Sequence, residues 1–306
     1  MSRRRQKGRQ INGLVILDKA GGASSNNVLQ QVKRLYDANK AGHTGSLDPL
    51  ATGVLPLCLG EATKVSQFLL DADKQYRARI KLGVRTDSGD SEGEVIAEAA
   101  TDHLTEDKIK QALRQFEGDI EQLPPMYSAL KRDGVPLYKL ARQGITVERE
   151  PRPVTIYRIE LTDYHGDEIE IEVDCSKGTY IRTIADDLGE ALECGGHIVS
   201  LRRTKAGVFT EADSVSIETL TAEKEQLGLE ALDQRLIAMD EAINDLPEVR
   251  LPDITASQIK HGQAVMVRHL PADGLVRMYD EEQFIGIGFI DDDGKVAPRR
   301  LINTAE

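Results

Sequence analysis

The sequence predicts an α+β protein followed by a small all-β module, and three observations carry that reading. Residues 74–82 alternate, with Tyr76, Ala78, Ile80 and Leu82 on one side and Arg77, Arg79 and Lys81 on the other. That is the period of a strand with one apolar and one basic face. Val28, Leu29, Val32 and Leu35, and again Ile109, Ala112, Leu113 and Phe116, follow helical spacing instead. Beyond Pro247, segments 263–268, 274–279, 283–290 and 295–301 read as short strands separated by Gly and Asp turns, the spacing of a small β module.

The other elements come in order. Gly13–Leu17 is an apolar run that reads as a buried strand, and Ser24 and Ser25 can cap the helix carrying Val28. The glycine-rich stretch from Gly42 to Gly60 fits neither period. Glu106 and Asp107 occupy the favourable first turn of the helix carrying Ile109. Pro124 and Pro125 break regular structure, and the basic residues after them read as an excursion from the core. Residues 154–161 and 168–175 alternate and pair across Tyr164–Asp167. Ile181–Leu192 reads as a helix, Ile198–Leu201 as a strand, and the acidic stretch 211–247 as helical patches ending at Pro247.

At 306 residues the chain has room for one large domain or two ordinary ones. Its 40% apolar and 29% charged residues exclude disordered and fibrous classes. No apolar run is long enough for a membrane span, and the basic N-terminus lacks the apolar core of a secretory signal. Cys58, Cys175 and Cys194 are an odd number far apart, so no disulfide framework is expected and a reducing cytoplasm is. The net charge of −12 argues against a polyanionic partner in bulk, but a ligand feels charge only within roughly 8–10 Å. Residues 1–10 hold five bases and no acid, and residues 131–152 carry a net +3. Net charge therefore does not exclude nucleic acid.

The most unusual segment is Gly42-His-Thr-Gly-Ser-Leu-Asp-Pro-Leu-Ala-Thr-Gly53. It lacks the Gly-Lys-Ser/Thr ending of a phosphate loop, and Gly286-Ile-Gly288 lacks the third glycine of a dinucleotide site. An isolated Asp48-Pro49 is first a turn, while the length of the loop favours function, leaving the two readings even. Cys175, Cys194 and His197 include one Cys-x-x-His step without a fourth ligand, so no zinc site is expected.

Gly42–Gly53, continued by Val54-Leu55-Pro56, closely resembles the catalytic motif of the TruB family of tRNA pseudouridine synthases. The likeness runs in order through Leu14–Lys19, Asp73–Arg77, Gln122–Lys131, Cys175–Ile184, Asp186–Gly189 and Leu201-Arg202-Arg203, covering nearly the whole chain. It implies a mixed, mainly antiparallel sheet with flanking helices in a catalytic domain at 11–249. A thumb insertion at about 124–152, with Tyr127 and Tyr138 among its bases, would close on the RNA. The basic tail 1–10 precedes that domain, and a β-barrel-like PUA domain for RNA binding comes after it at 250–306.

The implied reaction turns one uridine in the T-loop of tRNA, position 55, into pseudouridine by base flipping, glycosidic cleavage and C–C reattachment. Asp48 matches the catalytic aspartate, Arg182 the arginine that pairs with it, and His43 the histidine that fills the space left by the flipped base. Tyr76, Tyr180 and Leu201 match positions that line the base pocket, Tyr76 with its hydroxyl near the carbon that loses a proton. The chemistry is redox-neutral and needs no activated water, so neither metal nor cofactor is expected. The expected partner is the tRNA T-arm, the expected state a monomer. A second reading is an RNA-binding or RNA-folding protein whose isomerase activity is incidental. The two can coexist, since opening and re-closing tRNA loops helps tRNA fold. A third reading, a guide-RNA-dependent enzyme within a larger particle, is disfavoured by the thumb-like stretch.

Overall fold

The structure, a computed structural model, describes residues 8–268, 270, 271 and 273–303. Most of the expected basic tail lies outside the described residues. Of its described part, Arg9 ion-pairs with Asp233, and its carbonyl accepts from the Asn39 amide at 3.0 Å.

The first strand, β1 (Gly13–Lys19), is apolar on both faces because a separate core lies on each side: Val15 and Leu17 join one, Leu14 and Ile16 the other. Helix α1 (Ser25–Leu35) starts at Ser24, whose hydroxyl accepts from the Asn27 amide, and buries Val28, Leu29 and Val32. The stretch after it departs from expectation. A short strand β2 (Ala41–His43) and a long one, β3 (Thr52–Leu59), both pair with their neighbours, and every β3 residue but Thr52 is buried. With a core on each side β3 has no polar face, so it shows no alternation to read.

Helix α2 (Ser66–Asp71) leads into β4 (Lys74–Leu82), and the hairpin β5 (Val84–Thr86) and β6 (Val95–Glu98) comes next. The basic face of β4 is not bare. Arg77, Arg79 and Lys81 stand opposite Glu172, Glu170 and Glu168 in the register, and Arg77 reaches Glu172 at 3.3 Å. Then come α3 (Glu106–Leu113), capped by Thr105, and β7 (Gly118–Gln122). The basic excursion holds only a tight hairpin, β8 (Lys131–Arg132) with β9 (Val135–Pro136), and α4 (Leu137–Ala141). Strands β10 (Arg152–His165) and β11 (Glu168–Cys175) pair as expected, with a tighter turn at Gly166-Asp167. Helix α5 (Ile181–Ala191) precedes β12 (Gly196–Ala206), which is far longer than Ile198–Leu201, and β13 (Phe209–Thr210) folds back on it.

The resulting sheet runs β1-β3-β12-β4-β11-β10-β7, with β2 and β13 added beside it. Every pairing is antiparallel except β12 with β3, so the sheet is mixed but mainly antiparallel. At that parallel contact Gly53 stands opposite Arg203, and a Cβ on Gly53 would meet the Arg203 carbonyl oxygen at 2.2 Å, on a backbone with φ +98°. Gly53→Ala should therefore cost about 3 kcal/mol of unfolding free energy in a urea titration. A loss below about 1 kcal/mol would mean that the two strands separate without penalty.

Helices α6 (Ile217–Leu227) and α7 (Leu229–Asp233) realise the acidic helical patches. The C-terminal unit adds β14 (Glu248–Leu251), α8 (Asp253–Lys260), β15 (Gly274–Asp280), β16 (Gln283–Ile290) and β17 (Val296–Leu301). Its order, β14-β15-β16-β17, is a four-stranded sheet that does not close into a barrel among the described residues. Two expectations fail here. Residues 263–268 supply only a single bridge, Val265 with Val296, and the unit contains a helix. That helix is only two turns long and buries just Ala256 and Ile259, too little to show a period. The unit has its own core, yet Leu275, Phe284 and Ile287 pack into the second core of the large sheet. No helix among the described residues is long and apolar enough to cross a membrane.

Candidate active site

The loop between β2 and β3 has no hydrogen-bonded ladder, so side chains from elsewhere hold its backbone. Lys19, fully buried at the end of β1, donates from Nζ to the carbonyls of Ala20 (3.0 Å), Pro49 (3.1 Å) and Ala51 (2.6 Å). Ser25 Oγ accepts from the Leu47 amide at 2.7 Å and donates to its carbonyl at 3.1 Å. Arg203, 1% exposed, donates from Nε to the Val54 carbonyl (2.7 Å) and from Nη2 to Gly45 (3.3 Å). The backbone reading of Asp48-Pro49 as a turn is correct, because the Ala51 amide donates to the Asp48 carbonyl at 3.1 Å. The Asp48 side chain leaves that turn free to work elsewhere.

It meets Arg182. The guanidinium holds both carboxylate oxygens, Nε to Oδ2 at 2.9 Å and Nη2 to Oδ1 at 3.2 Å. Its other contacts are the carbonyls of Ser88 (3.0 Å) and Tyr127 (2.7 Å) and the Asp90 carboxylate at 3.5 Å. Arg182 thus ties together the Asp48 loop, the acidic turn at 87–93 and the base of the excursion. Its side chain is 4% exposed and that of Asp48 37%, so a substrate can reach the carboxylate but not the arginine. Burial raises the Asp48 carboxyl above its usual range; Arg182 and Lys19 oppose that and Asp90 adds to it.

Tyr180 caps the start of α5, with its backbone clamped by Gln122, whose Oε1 accepts from the Tyr180 amide at 2.7 Å and whose Nε2 donates to the carbonyl at 3.0 Å. Burial raises its phenol, and the charge of Asp48 is felt there as well. Tyr76 is half-buried on β4, directly opposite Arg203 on β12. Burial raises the Tyr76 hydroxyl too, Arg203 partly offsets it, and Asp48 adds to it. His43, at the end of β2, has its pKa lowered by burial and then by Arg203, so it is neutral at neutral pH. Its Nδ1 is buried without a hydrogen-bond partner among the described residues. Leu201 is 6% exposed in the main core and lies opposite Ala78, on the same sheet face as Tyr76 and Arg203.

The structure therefore brings Asp48 and Arg182 into contact, sets Tyr76 and Tyr180 within reach of the same charge, and leaves Leu201 in the core on the sheet face that carries Tyr76 and Arg203. Lys19, Gln122 and Arg203 stand within the matched motifs and Ser25 as a possible helix cap, but the sequence gives none of them, nor Asp90, a role in the site. A charged side chain closing an apolar strand, as Lys19 does, is the one signal that could have found an anchor. In the excursion, Tyr127 Oη donates to Asp87 at 3.2 Å, Arg149 to the Pro124 carbonyl at 2.9 Å, and Arg142 sits 5.6 Å over the Tyr138 ring. Cys175 and Cys194 are buried free thiols, and His197 Nδ1 bonds the Val84 carbonyl at 2.9 Å. No group of three or more His, Cys, Asp or Glu side chains suited to a metal occurs among the described residues. A cleft of about 1340 Å³ between the sheet and the C-terminal unit is lined by Lys74, Lys205, Arg299 and Arg300 but by none of the six expected site residues.

Three family models match successive parts of this chain between residues 33 and 302: the N-terminal domain of TruB family pseudouridylate synthase at 33–181, a tRNA pseudouridylate synthase B C-terminal domain at 182–244, and the C-terminal domain of pseudouridine synthase II TruB at 247–302. The chain is 56% identical to the tRNA pseudouridine synthase B of Tolumonas auensis over 311 residues, covering 99% of this chain and 96% of that one. It is 51% identical to that of Serratia proteamaculans, covering 99% and 98%. Among solved structures it resembles an H/ACA RNP bound to a substrate RNA containing 2′-deoxyuridine, at TM-score 0.72 and 25% identity over 98% of this chain and 91% of that one. The archaeal box H/ACA sRNP Nop10-Cbf5 complex is similar as well, at TM-score 0.70 and 26% identity over 94% and 85%.

Proposed function

This chain belongs to the TruB family of pseudouridylate synthases, which isomerise uridine to pseudouridine in tRNA, and we propose that its target uridine is position 55 of the T-loop. One observation supports a working site best: a carboxylate, Asp48, gripped on both oxygens by a buried arginine yet still open to solvent.

The target base is stacked in a folded loop, so it must be flipped out before a side chain can reach it. His43, neutral and half-buried, is suited to fill the space the base leaves. Asp48 then acts as nucleophile or stabilises an electron-poor sugar carbon, as carboxylates do when glycosidic bonds break. Arg182 keeps that carboxylate ionised and aimed. Tyr76, Tyr180 and Leu201 hold the detached uracil while it turns, with the Tyr76 hydroxyl serving the loss of the carbon-bound proton. The basic excursion 124–152 is the thumb that meets RNA phosphates, so binding should weaken steeply with salt. Full-length likeness at 51–56% to tRNA enzymes, against 25–26% to the H/ACA proteins, supports a stand-alone enzyme acting on tRNA. We infer that it does so in the cytoplasm as a monomer.

The direct test incubates purified protein with unmodified tRNA and maps pseudouridine by chemical adducts and reverse transcription. Pseudouridine mapped to position 55 supports the reading. Conversion only at another uridine, or none, overturns it.

We assign catalysis to 11–249 and added RNA affinity to 250–306. Truncation near Pro247 should leave a folded enzyme with weaker tRNA binding and surviving isomerisation, because every proposed site residue precedes Arg203. Its melting temperature should fall, since Leu275, Phe284 and Ile287 no longer cover the second core. A truncated chain that is folded yet inert on a T-arm stem-loop would show the division to be wrong.

A further inference from the structure

The two buried arginines of the site differ in their charge balance. Arg182 faces two carboxylates, Asp48 at 2.9 Å and Asp90 at 3.5 Å. Arg203 is still more deeply buried, yet every partner it has is neutral, the carbonyls of Val54 and Gly45 and the Tyr76 hydroxyl, and it forms no ion pair among the described residues. A cation buried without a counter-charge is costly, and a guanidinium is seldom left so when neutral packing would serve. It also stands directly opposite Tyr76, two residues along β12 from Leu201 and on the same face. Its third nitrogen, Nη1, lies by Gly45, where a Cβ would meet it at 3.7 Å.

The reaction supplies the missing negative charge. When the N–C bond to the ribose breaks, its electron pair goes to the base, and the sugar carbon left electron-poor is met by Asp48. The detached uracil is then an anion until its carbon bonds to the sugar and returns that pair. We propose that Arg203 is the positioning residue that keeps the Tyr76 and Leu201 wall positively charged, so that the uracil anion is held there while it turns. The inference rests on the isomerase reading above. It divides the work between the two arginines: Arg182 serves the carboxylate and the sugar carbon, Arg203 the base. The same pair of carbonyl contacts ties the Asp48 loop to the strand that carries this wall, so both halves of the site are set by one side chain.

The test compares the intact enzyme with Arg203→Gln and Arg203→Lys in single-turnover reactions on tRNA bearing uridine or 5-fluorouridine at the target position. It reads loss of the N-glycosidic bond, the step both substrates share, because fluorine occupies the place of the departing proton. Fluorine draws off electron density, so the fluorinated anion needs less help. Arg203→Gln should slow the uridine substrate about a hundredfold, the scale of losing one oriented donor at a developing anion, and the fluorinated one by less than about tenfold. Arg203→Lys, which keeps the charge, should stay within about tenfold on both. Thermal melts and tRNA binding accompany each variant. Equal slowing on the two substrates would reduce Arg203 to a structural anchor and overturn the proposal. Should Arg203→Gln not fold, the lysine variant decides: retained rates support the proposal, and a hundredfold loss in a folded protein overturns it. Failure of the wild type to convert unmodified tRNA would instead remove the isomerase reading itself.

Discussion

Asp48→Asn should abolish isomerisation, with a loss of at least about 10⁴-fold in the single-turnover rate, while tRNA affinity stays within a few-fold of wild type. Asparagine keeps the size and one acceptor oxygen, so the turn closed by the Ala51 amide is undisturbed. Arg182 is not stranded either, because Asp90 and the carbonyls of Ser88 and Tyr127 remain around it. What is lost is the charge and the nucleophilic lone pair. Residual activity within about tenfold of wild type would take Asp48 out of the nucleophile role. A pH profile gives a second check. Only the carboxylate form works, and burial raises the Asp48 carboxyl above its usual value of 3.8. The rate should therefore be full at neutral pH and fall as pH drops through that raised value, so the acid limb lies above the range of an ordinary exposed aspartate. An acid limb at or below 3.8 would show that Arg182 outweighs burial.

Local pattern revealed those elements that have one wet face. Strands β4, β10 and β11 and helices α1, α3 and α5 alternate or repeat because one side is solvated. Strand β3 was unreadable for the opposite reason, since cores on both sides leave it nothing polar to alternate with. The basic face of β4 was visible, but not that β11 would lay Glu168, Glu170 and Glu172 against it. The site divides in the same way. A long irregular loop announced itself, and family likeness pointed to Asp48 and Arg182 within it and beyond it. The anchors Lys19 and Arg203 stayed hidden because the loop carbonyls they hold lie 30 to 158 positions away. A sequence shows where a charge is, not which carbonyl will need it.

The second large effect concerns Tyr76. Phenylalanine keeps the aromatic face for stacking, worth roughly 1–3 kcal/mol per base, but removes the hydroxyl, and leucine removes both. If Tyr76 only positions the uracil, Tyr76→Phe should be nearly as active as wild type and Tyr76→Leu strongly impaired. If the hydroxyl takes part in removing the carbon-bound proton, both should lose about 10²–10⁴-fold in the chemical step, with the phenylalanine variant still binding tRNA normally. The surroundings favour the second outcome. Arg182 is committed to Asp48 and Asp90, and His43 is proposed for the space left by the flipped base. Burial alone would make the phenol a poor proton acceptor, but Arg203 stands opposite and offsets part of that cost. The hydroxyl and the arginine should then act as a unit. Combining Tyr76→Phe with Arg203→Gln should slow the reaction hardly more than the worse single change, whereas multiplying losses would mean independent roles. Single-turnover rates with excess enzyme isolate this step from product release. Full activity of Tyr76→Phe in that assay would reduce Tyr76 to a stacking platform and send the search for the proton acceptor elsewhere.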